Sequence, residues 1–167
     1  MSGITKDFGW NDFNHSGQAP GVLVPATDRN LFGAKVLCES LLQPIRDHIG
    51  KPLLINSGFR DRTIYEALKR AGYPASATSD HFFWCELNPT GSGAADITWE
   101  GFKDDGVKVF EWISESLLYN QVIIYPDQNF IHVSNHRSRI FCYPIQSRMP
   151  IGVYRNGQYQ PYKKGEQ

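Results

Sequence analysis

Three short stretches carry side chains able to do chemistry together. His81 closes the run Ser79-Asp80-His81, and Asp96 follows the small residues Gly93, Ala94 and Ala95. His132 stands between Ile131 and Val133 in the segment NFIHVS at 129–134. Two imidazoles and one carboxylate make a three-ligand set that leaves a fourth position open on zinc, the arrangement of a catalytic site. Borderline-soft zinc suits that mixture better than hard calcium or magnesium. A plain alternative stands beside each residue, since a single histidine in an alternating strand is commonly a hydrogen-bonded core residue. Asp96 is harder to set aside. A carboxylate among small apolar residues on a strand costs several kcal/mol if buried unpaired, and a cation or an arginine partner removes that cost.

The order of these stretches resembles the zinc D-Ala-D-Ala carboxypeptidase family, which includes D,D-dipeptidases and phage endolysins that cut peptidoglycan stem peptides. The matching residues are Ser79, His81, Gly93, Ala95, Asp96 and His132, preceded by LLQPIRDHIGKPLLINSGFR, where the family has a helix, a strand and an S-G-Y-R turn. Phe59 replaces the tyrosine of that turn and Arg60 is kept. The resemblance spans roughly residues 31–134. It implies zinc held by His81, Asp96 and His132, with Arg60 binding a substrate carboxylate or a polarised carbonyl. It also implies that Ser79 orients His81 or the substrate; the structural alternative is that Ser79 satisfies backbone groups of its loop.

Two departures from the family bear on activity. His81 and Asp96 are fifteen positions apart, wider than in the family, with FFWCELNPTGS between them. That insert, 82–92, contains three aromatics and the turn sequence Asn88-Pro89-Thr90-Gly91, and it reads as a hairpin or flap over the site. The family also carries a glutamate as general base shortly before its last histidine. The corresponding residue here is Asn129 in the E-x-x-H version, or Tyr125 where the glutamate ends the preceding strand. Neither accepts a proton at neutral pH as a carboxylate does. Glu86 in the insert and Asp127 in the turn before His132 are the replacement bases expected, with Glu86 slightly preferred. The leading function is therefore a zinc metallopeptidase of the D,D-carboxypeptidase or endolysin type. The alternative is a non-catalytic zinc module, structural or cell-wall-binding, in a phage virion.

These residues need a scaffold. Leu31, Ala34, Cys38, Leu41 and Ile45 recur at helical steps after Thr27 or Asp28, predicting a helix to about His48 with a kink or a last turn at Pro44 and an end at Gly50. A short buried strand leads to Ser57. Asp61 caps a second helix with Ile64, Leu68 and Ala71 inward, and Asp104 or Asp105 opens a third with Val107, Phe110, Ile113 and Leu117 inward. Strands are expected at 121–125, 129–134 and 139–144. Asn156-Gly157 between tyrosine-rich arms signals a hairpin over 151–162. The fold class expected is α+β, with helices packed on one side of a small antiparallel sheet that bears the zinc site. An irregular arm, 1–26, packs Phe8, Trp10 and Phe13 onto a domain spanning 27–167.

Composition narrows the classes further. At 167 residues one domain with a real core is expected. Lys plus Arg equals Asp plus Glu at 17 each, so nothing favours a nucleic-acid partner. No apolar run reaches membrane-spanning length, and the N-terminal residues lack the features of a secretory signal. Three cysteines without C-x-x-C spacing argue against a disulfide framework and a cysteine zinc site, with Cys38 and Cys142 expected as buried thiols. The partners implied are a peptidoglycan peptide and virion proteins. The implied location is cytoplasmic on synthesis, then in a phage particle or released on lysis.

Overall fold

The computed structural model describes residues 3–77, 79–83, 93–135 and 151–165. Glu86, Cys85, His136, Cys142, the expected strand 139–144 and most of the expected flap lie outside these residues.

The first helix begins where Thr27 caps it. The Thr27 hydroxyl accepts from Asn30 N, and Asn30 Oδ1 accepts from Thr27 N at 2.6 Å. Helix α1 (Asp28–Leu37) runs through a π-helical segment, Cys38–Leu42, into α2 (Gln43–Ile49). Pro44 accounts for the wide turn. Its nitrogen has no hydrogen to return to Ser40, and the Gln43 N–H reaches back to Cys38 O. Ala34, Cys38, Leu41 and Ile45 are fully buried along one stripe, and Gly50 (φ 69°) ends the helix in the left-handed region. Burial pushes the Cys38 thiol up, with Asp12 and Glu39 adding to the shift, which makes it an inert core group.

Helix α3 (Arg62–Arg70) is capped by Asp61, whose carboxylate accepts from Ile64 N at 2.9 Å. Ile64 and Leu68 are buried, whereas Ala71, expected inward, is exposed beyond the helix end. Helix α4 (Phe102–Ser116) starts earlier than the aspartates suggest, because Gly101 (φ 88°) turns the chain into it. The earlier start brings Phe102 onto the buried stripe. Val109, two turns on from Phe102, then takes the core position expected of Val107, which is exposed.

Six strands form one sheet: β1 (Leu54–Ser57), β2 (Ala94–Thr98), β3 (Tyr119–Tyr125), β4 (Phe130–Asn135), β5 (Gly152–Arg155) and β6 (Gln158–Pro161). Their order is β1-β2-β4-β3-β5-β6. All neighbours are antiparallel except β3 and β5, which run parallel and correct the expectation of a wholly antiparallel sheet. The β5–β6 turn places Asn156 (φ 50°) and Gly157 (φ 77°) in the left-handed region, as a two-residue type I′ connection requires.

Alternation divides the sheet's two faces. Ile55, Ile97, Ile131, Ile124 and Val153 are cross-strand neighbours on one face and join a core with Leu37, Leu41, Ile45, Phe110 and Ile113 of the helices. The next row, Asp96, His132 and Ile123, belongs to the other face. Phe8, Trp10 and Phe13 of the N-terminal segment are buried, and the Trp10 indole donates to Val24 O at 2.9 Å. Among the described residues, no helix is long and apolar enough to cross a membrane.

Asn129 ends a 3₁₀ turn, Pro126–Gln128, with φ 57° and ψ 47°. Asparagine tolerates this left-handed position better than other residues with a β-carbon. Asn129→Ala is therefore expected to cost about 1 kcal/mol of stability and Asn129→Gly close to nothing, read from urea midpoints, with zinc affinity unchanged in both.

Candidate metal centre

His81, Asp96 and His132 converge. Each offers one ligand atom, and the three atoms lie within 4.8 Å of one another. Asp96 and His132 are direct cross-strand partners on β2 and β4, so the sheet register itself brings them face to face. His132 Nδ1 is 2.9 Å from Asp96 Oδ1 and, without a metal, its N–H donates there. His81 comes from the loop 79–83, and its Nε2 lies 3.5 Å from the same oxygen.

The His81 ring is oriented from behind. Its Nδ1 is 2.8 Å from Gly58 O. A carbonyl only accepts, so Nδ1 carries a hydrogen, and Nε2 is the ring nitrogen turned toward Asp96 and able to ligate a metal. A hydrogen bond of this kind, from the far nitrogen of a ligating imidazole, is the usual outer support of a metal histidine. Gly58 can occupy this place because it has no side chain: a β-carbon there would meet Phe13 Cα and O at 2.7 Å. Phe59 N donates to Phe13 O, and Arg60 N donates to His81 O, both at 2.8 Å. The turn between β1 and α3 is thus stitched to the N-terminal segment on one side and to the ligand loop on the other.

The donor set fits zinc. Ligand bonds near 2.0–2.1 Å at tetrahedral angles put donor atoms about 3.3 Å apart. The His81–Asp96 distance of 3.5 Å already meets this, and the His132–Asp96 distance of 2.9 Å needs to open by a few tenths of an ångström. Burial alone would raise the Asp96 carboxyl. The two imidazoles, through charge and hydrogen bonds, instead hold it well below the usual carboxylate range, so it is anionic at neutral pH. Among the described residues this is the one such cluster of histidine, cysteine or carboxylate side chains.

These three residues line a cleft of about 570 Å³ on the sheet's second face. Arg60 forms part of the wall, and its Nε–H is buried with no partner among the described residues. Burial lowers the arginine's proton affinity and Asp96 partly restores it; a guanidinium remains charged throughout. Ser79 lines the cleft too, with Oγ accepting a long 3.4 Å hydrogen bond from His81 N. Tyr125 is also in the wall, stacked on Phe130 at 4.2 Å between ring centroids. Burial, with Asp96 and two nearby tyrosines adding to it, pushes its phenol up to about 12, so it keeps its proton at neutral pH.

Other site expectations fall elsewhere. Asp127 is exposed and accepts from Asn156 N at 3.4 Å, away from the cleft-lining residues. Asn129 lines a different, shallow pocket beside Trp99 and Gly101. Glu86 is outside the described residues. Phe82 and Phe83, read as the start of a flap, are buried, and Phe83 packs in the main core. Four polar residues of the cleft escape sequence reasoning, Ser76, Asp80, Asn120 and Gln121, and the Asp80 and Asn120 side chains are bonded at 2.7 Å. Asp80 sits next to a ligand in the chain, a signal too common to single it out.

No protein-family model, curated protein or solved structure matches this chain.

Proposed function

We propose that this chain is a zinc metallopeptidase acting on peptidoglycan stem peptides, of the D,D-carboxypeptidase or endolysin type. The observation that carries the reading is the meeting, in one cleft, of a His-Asp-His donor set with a buried arginine N–H that has no partner among the described residues. A buried charged donor without a partner is costly, and such a group commonly marks a place where a ligand supplies the acceptor. A peptide's terminal carboxylate or scissile carbonyl suits the planar guanidinium.

Zinc bound there supplies Lewis acidity, polarising a carbonyl and making a water molecule acidic near neutral pH. The remaining work falls to the chain. Arg60 binds and orients the substrate oxygen. Tyr125 keeps its proton and donates a hydrogen bond from Oη. A carboxylate must accept a proton and hand it to the leaving amine. Asp80 is the one carboxylate besides Asp96 among the described residues that line the cleft, and it joins Glu86 as a candidate for that role.

The second reading, a non-catalytic zinc module of a cell wall or virion, draws on Asn129. Of the two residues that align with the family's base, Asn129 lines another pocket and its carboxamide is not basic, and Tyr125 lines the cleft but keeps its proton. Hydrolysis of stem peptides separates the two. Chelator-sensitive cleavage is expected, with Glu86→Gln or Asp80→Asn losing about a hundred- to ten-thousandfold and Asp127→Asn retaining most activity. Cleavage indifferent to chelator overturns the metal mechanism. Full zinc occupancy with no cleavage of any stem peptide selects the non-catalytic module.

A further inference from the structure

We propose that Asn120 is a positioning residue for the metal centre, holding the His81 loop in place through Asp80. The inference rests on the metal-site reading above and concerns how the third ligand is kept on target.

Along β3 and β4, Tyr119 pairs with Asn135 and Gln121 pairs with Ser134, so two residues on β3 oppose one on β4. Asn120 is the extra residue of a β-bulge. Strict alternation would send Asn120 and Gln121 to opposite faces, yet both line the metal cleft. Re-aiming a side chain in this way is what a bulge does, and bulges concentrate next to functional sites. The redirected Asn120 amide donates through Nδ2 to Asp80 Oδ2 at 2.7 Å, forty residues away in sequence. A carboxylate acceptor makes this a charge-assisted bond, stronger than one between neutral groups.

The position of this bond gives it a purpose. Loop 79–83 brings His81 to the adjacent strands β2 and β4, which bear Asp96 and His132. On the β1 side it is tied by Arg60 N to His81 O and by the His81 ring to Gly58 O, each at 2.8 Å. On the opposite flank, at β3, the tie is Asn120 to Asp80. The loop is pinned on both sides of the ligand-bearing strands. Releasing the β3 side lets the segment next to His81 rotate about its β1 anchors, moving Nε2 relative to the other two donors. Outer supports of this kind are worth about 10- to 100-fold in metal affinity.

Zinc affinity, measured by competition with a chromophoric chelator, and the visible spectrum of the cobalt(II)-loaded chain test this. Asn120→Ala and Asn120→Asp are each expected to weaken zinc by about 10- to 100-fold and to alter the cobalt absorption, because the ligand geometry changes. The exchange variant Asp80→Asn/Asn120→Asp restores a donor opposite a carboxylate. It is expected to recover zinc affinity to within a few-fold of the original and to recover the cobalt spectrum. General destabilisation by either single substitution would not be repaired by the exchange. Wild-type affinity in Asn120→Ala, or an exchange variant no better than the single variants, overturns the proposal. A wild-type chain that binds neither metal overturns the metal-site reading itself, and this inference with it.

Discussion

Alanine in place of His81 or His132 is expected to abolish stoichiometric zinc binding. The structure offers three donors, two of them imidazoles and one a carboxylate that both imidazoles touch. Zinc affinity in sites of four ligands amounts to roughly 10–16 kcal/mol, so one protein donor accounts for about 3 kcal/mol, a factor on the order of a hundred or more. The loss is compounded at Asp96. Each imidazole removed leaves this side chain, only 14% exposed, with one fewer partner for its charge. Zinc content after exhaustive dialysis reads the effect directly, with close to one zinc per chain expected in the wild type. His48→Ala is the control, because that ring stacks on Trp112 at 3.8 Å and stands apart from the cluster. Zinc retained in full by both the His81 and the His132 variants would remove these residues as ligands.

Phe83→Ala is expected to be the most destabilising single truncation near the site, costing about 3–5 kcal/mol. The ring packs edge-on against Phe59 at 5.2 Å and Phe13 at 6.2 Å between centroids. A β-carbon on Gly33 would sit 3.1 Å from Phe83 Cβ, so the first helix also closes on it. Phe83 therefore fills the joint between the N-terminal segment, the Gly58–Arg60 turn and the ligand loop. Its backbone N–H donates to His81 O at 3.1 Å, linking that joint to the metal ligand. A domain of this size is stable by roughly 5–15 kcal/mol, so the variant loses a large share and its zinc affinity falls as well. Urea unfolding measures the first effect and chelator competition the second. A cost below about 1 kcal/mol would mean the ring belongs to a flap rather than to the core.

Whether features were legible in the sequence depended on whether their cause was local. The stripe Ala34, Cys38, Leu41, Ile45 and the turn pair Asn156-Gly157 could be read because periodicity and left-handed turn chemistry are properties of a few adjacent residues. The ligand trio was visible as residue types, and its convergence follows from the pairing of Asp96 with His132. The two bulges were not visible. Asn56 is the extra residue between Ile55 and Ser57, as Asn120 is between Tyr119 and Gln121, and each reflects a register set by a partner strand distant in sequence. The same holds for Phe82 and Phe83. Adjacent aromatics in an insert look like a flap until the N-terminal segment, some seventy residues earlier, is seen to cover Phe83. The parallel pairing of β3 with β5 joins strands that are not consecutive in the sequence, so neither strand carries a local signature of it. The π-helical turn does have a local cause in Pro44, but its form depends on the buried residues packed around it.

X-ray absorption at the zinc edge of the zinc-loaded chain tests the central claim most directly. The expected first shell holds two imidazole nitrogens and one or two further light oxygen or nitrogen donors at about 2.0–2.1 Å, without sulfur. A shell containing sulfur near 2.3 Å, or one with no imidazole scattering, would contradict it.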